Sequence, residues 1–143
     1  SQVRSQLLAF SSGTDAGALD VSGWTTHQYL YFLRNLPEEM TLNRMENLDF
    51  VFGFTNSGNS EILYEWLILT IKNDYRDADL ALEVFLKRQG RRKFVAPLYE
   101  ALTRTSRGLR KARRIYAKCK SLYHPVTRGA VETLLDSSQN LDK

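Results

Sequence analysis

A chain of 143 residues, 43% hydrophobic and 25% charged, has the size and composition of one soluble globular domain with an ordinary core. The single cysteine, Cys119, excludes an intrachain disulfide and a cysteine zinc cluster, and no apolar run approaches the ~20 residues of a membrane span. The net charge of +4 hides an asymmetry: residues 87–128 hold 14 Lys/Arg and one acid, Glu100, whereas the rest of the chain holds 6 Lys/Arg and 15 Asp/Glu. Such a division points to an anionic ligand, a nucleic acid or an acidic neighbouring domain.

Residues 1–18 are weakly patterned, small and polar between Ser11 and Ala18, and read as a linker or domain boundary. Residues 1–6 lack the apolar core of a signal peptide. A first helix is expected over 25–35, with Thr25 or Thr26 as cap, Tyr29, Leu30, Phe32, Leu33 and Leu36 on its apolar side, and Pro37 as its stop. A second covers 41–52, capped by Thr41 and stopped by Gly53, with Leu42, Met45, Leu48 or Asp49, and Phe52 as its stripe. Asn59 or Ser60 can cap the third, 61–72, whose apolar residues lie on more than one side and place it mid-layer. A fourth covers 78–88 and a fifth 93–104. Between these two, Gly90 is expected to supply a left-handed turn, and Pro97 to fall in the first turn of the fifth helix.

The sixth helix, 107–123, places Leu109, Ala112, Ile115 or Tyr116, Cys119 and Leu122 on one face, with Ser106 as a candidate cap. Its other face carries Arg107, Arg110, Lys111, Arg113, Arg114, Lys118 and Lys120. His124-Pro125 opens a seventh helix to about 135, and residues 137–143 read as a tail. Seven helices joined by short loops, without a convincing strand pair, predict an all-α fold over 19–136. The expected class is an armadillo/HEAT-like α-α superhelix of paired antiparallel helices. No repeat at a fixed period supports this; it rests on helix pairing.

Catalytic motifs are missing. The two histidines, His27 and His124, lie in separate elements, so no H-E-x-x-H zinc helix exists, and no P-loop or nucleophile elbow is present. Cys119 reads as a small core residue. Two basic features remain. Arg91, Arg92 and Lys93 fall on a turn leading into a helix N-terminus, which is either a solvated turn or an anion-recognition site. The basic face of the sixth helix (Arg107, Arg110, Lys111, Arg113, Arg114, Lys118) is a solvated face, a docking surface for acidic protein, or a grip on nucleic acid. The last would use Tyr99, Tyr116 and Tyr123 as stacking rings. Two of those tyrosines lie near the core stripe, which disfavours nucleic acid.

Taken in order, four stretches carry a resemblance: Thr26-His27-Gln28; Gly58-Asn59-Ser60-Glu61-Ile62 with Trp66; Gln89-Gly90-Arg91-Arg92-Lys93-Phe94 with Pro97-Leu98; and His124-Pro125-Val126-Thr127. Together they resemble the C-terminal domain of the leukotriene A4 hydrolase and aminopeptidase B family of zinc aminopeptidases, over about 19–135. The resemblance implies a helical accessory domain packed on an upstream catalytic domain of the same cytoplasmic parent chain. That upstream domain would hold the zinc and the general base, so this fragment alone would be inactive. The resemblance also implies a wall of the substrate cavity, with Arg91 first and Lys93 second as the anchor for the free carboxylate of a peptide or lipid substrate. Arg92 departs from the family, where the hydrolase has an apolar residue; this extra cation either faces solvent or shifts preference toward acidic substrates, and aminopeptidase activity is a safer inheritance than lipid epoxide hydrolysis. The alternative function is a helical-repeat protein–protein interaction module that uses the basic face.

Overall fold

Five of the α-helices begin where a polar side chain accepts from free backbone N–H groups. The computed structural model describes residues 2–138, and these contain eight α-helices, four single 3-10 turns and no strand. The helices are α1 (Gln2–Ser11), α2 (Thr26–Arg34), α3 (Leu42–Phe52), α4 (Ser60–Lys72), α5 (Asp79–Arg88), α6 (Arg92–Leu102), α7 (Ser106–Cys119) and α8 (Pro125–Ser137). Thr25 and Gln28 form a reciprocal capping box at α2. Thr41 caps α3, and Asn59 accepts from the N–H groups of Glu61 and Ile62 at α4. His124 Nδ1 accepts from Val126 N at α8, with Pro125 at the first helical position.

The chain divides after Tyr75 into two units. In the first, α2 packs chiefly on α4, and α1 packs on α2. Trp66 and Leu67 of α4 are fully buried with Phe32, Met45 and Leu48, which fits the mid-layer place expected of the third helix. Ring contacts run from Trp24 through Phe32, Phe52 and Phe54 to Trp66 and Tyr75. At their edge the Asp49 carboxylate accepts from Thr55 N (2.9 Å), Thr55 Oγ1 (2.7 Å) and Tyr75 OH (2.8 Å). Thr55 Oγ1 in turn accepts from Trp66 Nε1.

In the second unit, α6 packs chiefly on α8, and α7 contacts both α5 and α6. Lys111 and Lys118 of α7 meet Asp79 and Glu83 of α5 in the same order along both helices, so α5 and α7 run in the same sense. That is the arrangement of alternate helices in an array of helical hairpins.

The structure differs from the sequence reading in several places. Within the stretch read as a linker or domain boundary, residues 2–11 form a packed helix: Val3, Leu7 and Phe10 are buried on one side of α1. The guanidinium of Arg44 stacks 3.6 Å from the Phe10 ring centroid and donates to the carbonyls of Phe10 and Thr14. Helix α1 brings the count to eight among the described residues. Gly90 is not left-handed. Gln89, at φ −91° and ψ 118°, ends α5, whereas positive φ at a helix end occurs at Gly53 (φ 66°). Pro97 lies in the second turn of α6, where its missing N–H removes one ladder bond. Thr105, not Ser106, caps α7, and α7 ends at Cys119, leaving Leu122 exposed. Leu42 is exposed as well. Of the expected tail, 137 and 138 belong to the end of α8, and 139–143 lie outside the described residues.

Two glycines separate packing from propensity. A Cβ at Gly108 would lie 2.1 Å from the Leu102 carbonyl oxygen, so the α6–α7 corner closes only over glycine. A Cβ at Gly129 in α8 meets nothing within 4 Å. Urea unfolding of the chain should show Gly108→Ala losing about 1–3 kcal/mol and Gly129→Ala gaining about 0.5–1 kcal/mol. The opposite order would contradict this packing.

Candidate functional site

The basic turn sits where α5 stops and α6 starts. Gln89 N donates to Phe85 O at 2.8 Å and closes the last turn of α5. Arg91 is the N-cap residue of α6, and its carbonyl accepts from Phe94 N and Val95 N; no side chain caps this end. The free N–H groups of the first turn and the positive end of the helix dipole therefore coincide with three exposed cations, Arg91, Arg92 and Lys93. None of the three forms an ion pair among the described residues.

One ring brings two of them together. Phe94 is buried and stands edge-on to Phe85, centroids 5.9 Å apart. The Arg91 guanidinium carbon lies 5.8 Å from the Phe94 centroid and Lys93 Nζ lies 4.7 Å from it. Both distances are in the range of cation–π attraction. The two residues singled out for a carboxylate thus share one support.

Behind the turn stand hydroxyl groups that sequence reasoning missed in this role. Thr127 Oγ1 donates to Gly90 O at 3.0 Å, and Tyr123 OH donates to Leu86 O at 2.7 Å. The single Tyr123 proton is used there, so the 3.2 Å contact between Tyr99 OH and Tyr123 OH has Tyr99 as donor. These bonds reach across 37 residues, and no local pattern announces them. Tyr99, Tyr116 and Tyr123 are buried and in mutual ring contact, and Tyr116 OH donates to Glu132. They offer no platform for a nucleobase. Burial pushes all three phenols well above the ordinary tyrosine range, and it pushes the buried Cys119 thiol up as well.

The basic face of α7 is divided. Lys111 Nζ lies 2.7 Å from Asp79 with its side chain 13% exposed, and Lys118 lies 3.1 Å from Glu83. Arg113 donates to the Leu135 carbonyl at the end of α8. Arg110 and Arg114 point outward and are exposed, while Arg107 is half-buried. Part of the face is therefore mortar between helices. Of the two histidines, His124 is a helix cap, and His27 is exposed on a groove of about 330 Å³ lined by Val3, Gln28 and Tyr31. Among the described residues no group of three or more His, Cys, Asp or Glu side chains is placed to hold a metal ion. None of the described helices is long and apolar enough to cross a membrane.

A family model described as leukotriene A4 hydrolase, C-terminal, matches residues 24–135. Leucine aminopeptidase 2 of Ajellomyces capsulatus is 30% identical over 127 residues, covering 87% of this chain and 20% of that protein. Aminopeptidase B of Mus musculus is 31% identical over 88 residues, covering 59% of this chain and 14% of that protein. The chain spans about a fifth of the length of the first of these relatives, at 20%. The solved structure of yeast LTA4 hydrolase in complex with bestatin matches with a TM-score of 0.71 at 22% identity, over 94% of this chain and 24% of that one. This likeness shows the fold, an all-α armadillo-like array of helix pairs.

Two measurements test the second unit. Lys111→Met should cost about 1–2 kcal/mol in urea unfolding, because it strands Asp79 at the α5–α7 contact, whereas Arg114→Met should stay within about 0.5 kcal/mol. At alkaline pH the unfolded chain releases phenolic protons that the folded chain keeps, since the folded phenols titrate higher. Stability from this source is full below the unfolded value, about 10, and declines as pH rises past it. Urea midpoints between about pH 9 and 11 should fall, and fall less steeply in Tyr123→Phe.

Proposed function

The chain belongs to the leukotriene A4 hydrolase C-terminal family, and from that premise we propose that it is the accessory domain of a zinc aminopeptidase. In this reading it walls the substrate cavity and binds the free carboxylate of a peptide. The observation that carries the proposal is the placement of Arg91 and Lys93 on one buried ring at an uncapped, exposed helix N-terminus. Arg91 offers a planar fork for a two-point bond to a carboxylate, and Lys93 adds a point charge beside it. Arg92, exposed between them, keeps the surroundings polar. That favours a peptide terminus over a fatty chain, which wants apolar walls.

Zinc and the groups that act on the scissile bond belong, in this proposal, to the upstream domain of a cytoplasmic parent chain. What this chain's residues contribute is position. Binding energy gathered at a remote carboxylate orients the substrate for a reaction elsewhere in the cavity. The domain itself is taken to run over 19–136, with residues 2–11 added to its first unit by the packing of α1.

The test uses the full-length parent enzyme and a tripeptide as the free acid and as its C-terminal amide. Arg91→Ala should lower kcat/KM for the free acid by about 10- to 150-fold, the loss of a charge-assisted hydrogen bond worth about 1.5–3 kcal/mol. The amide should be nearly unaffected. Equal loss on both substrates, or none on either, would remove the carboxylate anchor.

A further inference from the structure

We propose that Thr127 is a positioning residue for the Arg91 anchor, acting through the Gly90 carbonyl. The inference rests on the carboxylate reading of the turn and extends it to a residue that touches no substrate.

Helix α5 ends at Arg88, and its last carbonyls lose the partners a continued helix would give them. The Leu86 carbonyl would accept from residue 90 if the helix went on. Instead it accepts from Tyr123 OH, and the Gly90 carbonyl accepts from Thr127 Oγ1. The donors are four residues apart, at 123 and 127, and so are the acceptors, at 86 and 90. They straddle the His124-Pro125 start of α8, whose cap fixes the spacing between them. Tyr99 of α6 holds the Tyr123 hydroxyl in place from the other side. The turn is thus pinned at two points by one neighbouring segment.

The second point matters for the site. Gly90 is exposed and has no side chain, so nothing of its own restrains the peptide plane it shares with Arg91. The orientation of that plane sets the direction of the Arg91 N–H and the path of the chain into α6. Thr127 itself is buried at 3% exposure, and its donor is aimed at this one carbonyl. With the hydrogen bond removed, the plane can rotate, and the guanidinium leaves its place beside the Phe94 ring and the helix end. Lys93, inside the first helical turn, is held by the ladder of α6 and is less affected. The expected defect is therefore partial and specific to carboxylate binding.

The experiment compares wild type, Thr127→Val, Thr127→Ser, Arg91→Ala and the Thr127→Val/Arg91→Ala double variant of the full-length enzyme. Each is assayed on a tripeptide free acid and on its amide, with thermal unfolding as the folding control. Thr127→Val keeps the shape and removes the donor; it should raise KM for the free acid roughly 3- to 10-fold, with kcat and amide turnover little changed. Thr127→Ser should restore the wild-type ratio of acid to amide turnover. In the Arg91→Ala background Thr127→Val should have no further effect on that ratio. If Thr127→Val does not fold, Thr127→Ala is read by the same criteria. A Thr127→Val ratio equal to wild type, while Arg91→Ala lowers it, would overturn the positioning role and leave the anchor standing. A loss of the same size on acid and amide, or one that adds fully to Arg91→Ala, would also overturn it. An unchanged ratio in Arg91→Ala would remove the anchor and the positioning role with it.

Discussion

A helix that stops against its neighbours leaves carbonyl groups that must find donors. At the end of α5 they are met from far away in the chain. Phe85 O is served locally by Gln89 N, but Leu86 O and Gly90 O depend on Tyr123 and Thr127. Leu86 is buried, and an unserved buried carbonyl costs about 1–3 kcal/mol, so the start of α8 cannot drift from the end of α5 without loss. Tyr99 adds α6 to the same knot through the Tyr123 hydroxyl. The Arg91 turn is thereby held by contacts behind it, while its front, the first turn of α6, has no side-chain cap and is open to a ligand.

Part of the basic excess is taken up by ion pairs within the fold. Lys111 and Lys118 are neutralised by Asp79 and Glu83 across the α5–α7 contact and serve the packing of the second unit. The local excess of basic residues between 87 and 128 overstated the free positive surface because these acids lie just outside that window. Arg104 likewise meets Glu100 one turn away in the chain, an exposed pair of small worth.

Elements with local punctuation were legible in the sequence. Thr25, Thr41 and Asn59 announce α2, α3 and α4 because capping is a contact within three residues, and the Pro125 start of α8 is equally local. Helix α1 was not legible. Val3, Leu7 and Phe10 give only three buried positions amid Ser, Gln and Arg, and its partners, α2 and Arg44, lie beyond a connection that runs from Ser11 to Thr26. Gly90 and Pro97 carried the right signal in the wrong phase. Glycine marked the break, but the backbone turned through an extended Gln89, and the next helix began early enough to take Pro97 into its second turn. Of the candidate site, Arg91 and Lys93 were visible as residues. The ring that joins them needed the fold, since the Phe85 that holds Phe94 lies on another helix. The hydroxyls of Tyr123 and Thr127 were invisible because their acceptors are backbone atoms, which every sequence has.

The contrast between ring and carboxylate supports the proposal that the turn, and not α7, takes the anion. A carboxylate holds a cation by cancelling its charge, so Lys111 beside Asp79 has little left for a ligand. An aromatic face holds a cation through its quadrupole, worth about 0.5–1 kcal/mol at an exposed site, and leaves the full charge in place. Phe94, itself braced by Phe85, therefore limits the wandering of Arg91 and Lys93 without spending what makes them useful. Long basic side chains lose up to about 2 kcal/mol of rotamer freedom when fixed. Part of that loss is already taken in the free protein. A carboxylate arriving at α6 then meets donors that are arranged, charged and backed by a helix dipole of favourable sign, a combination that no exposed arginine on α7 possesses.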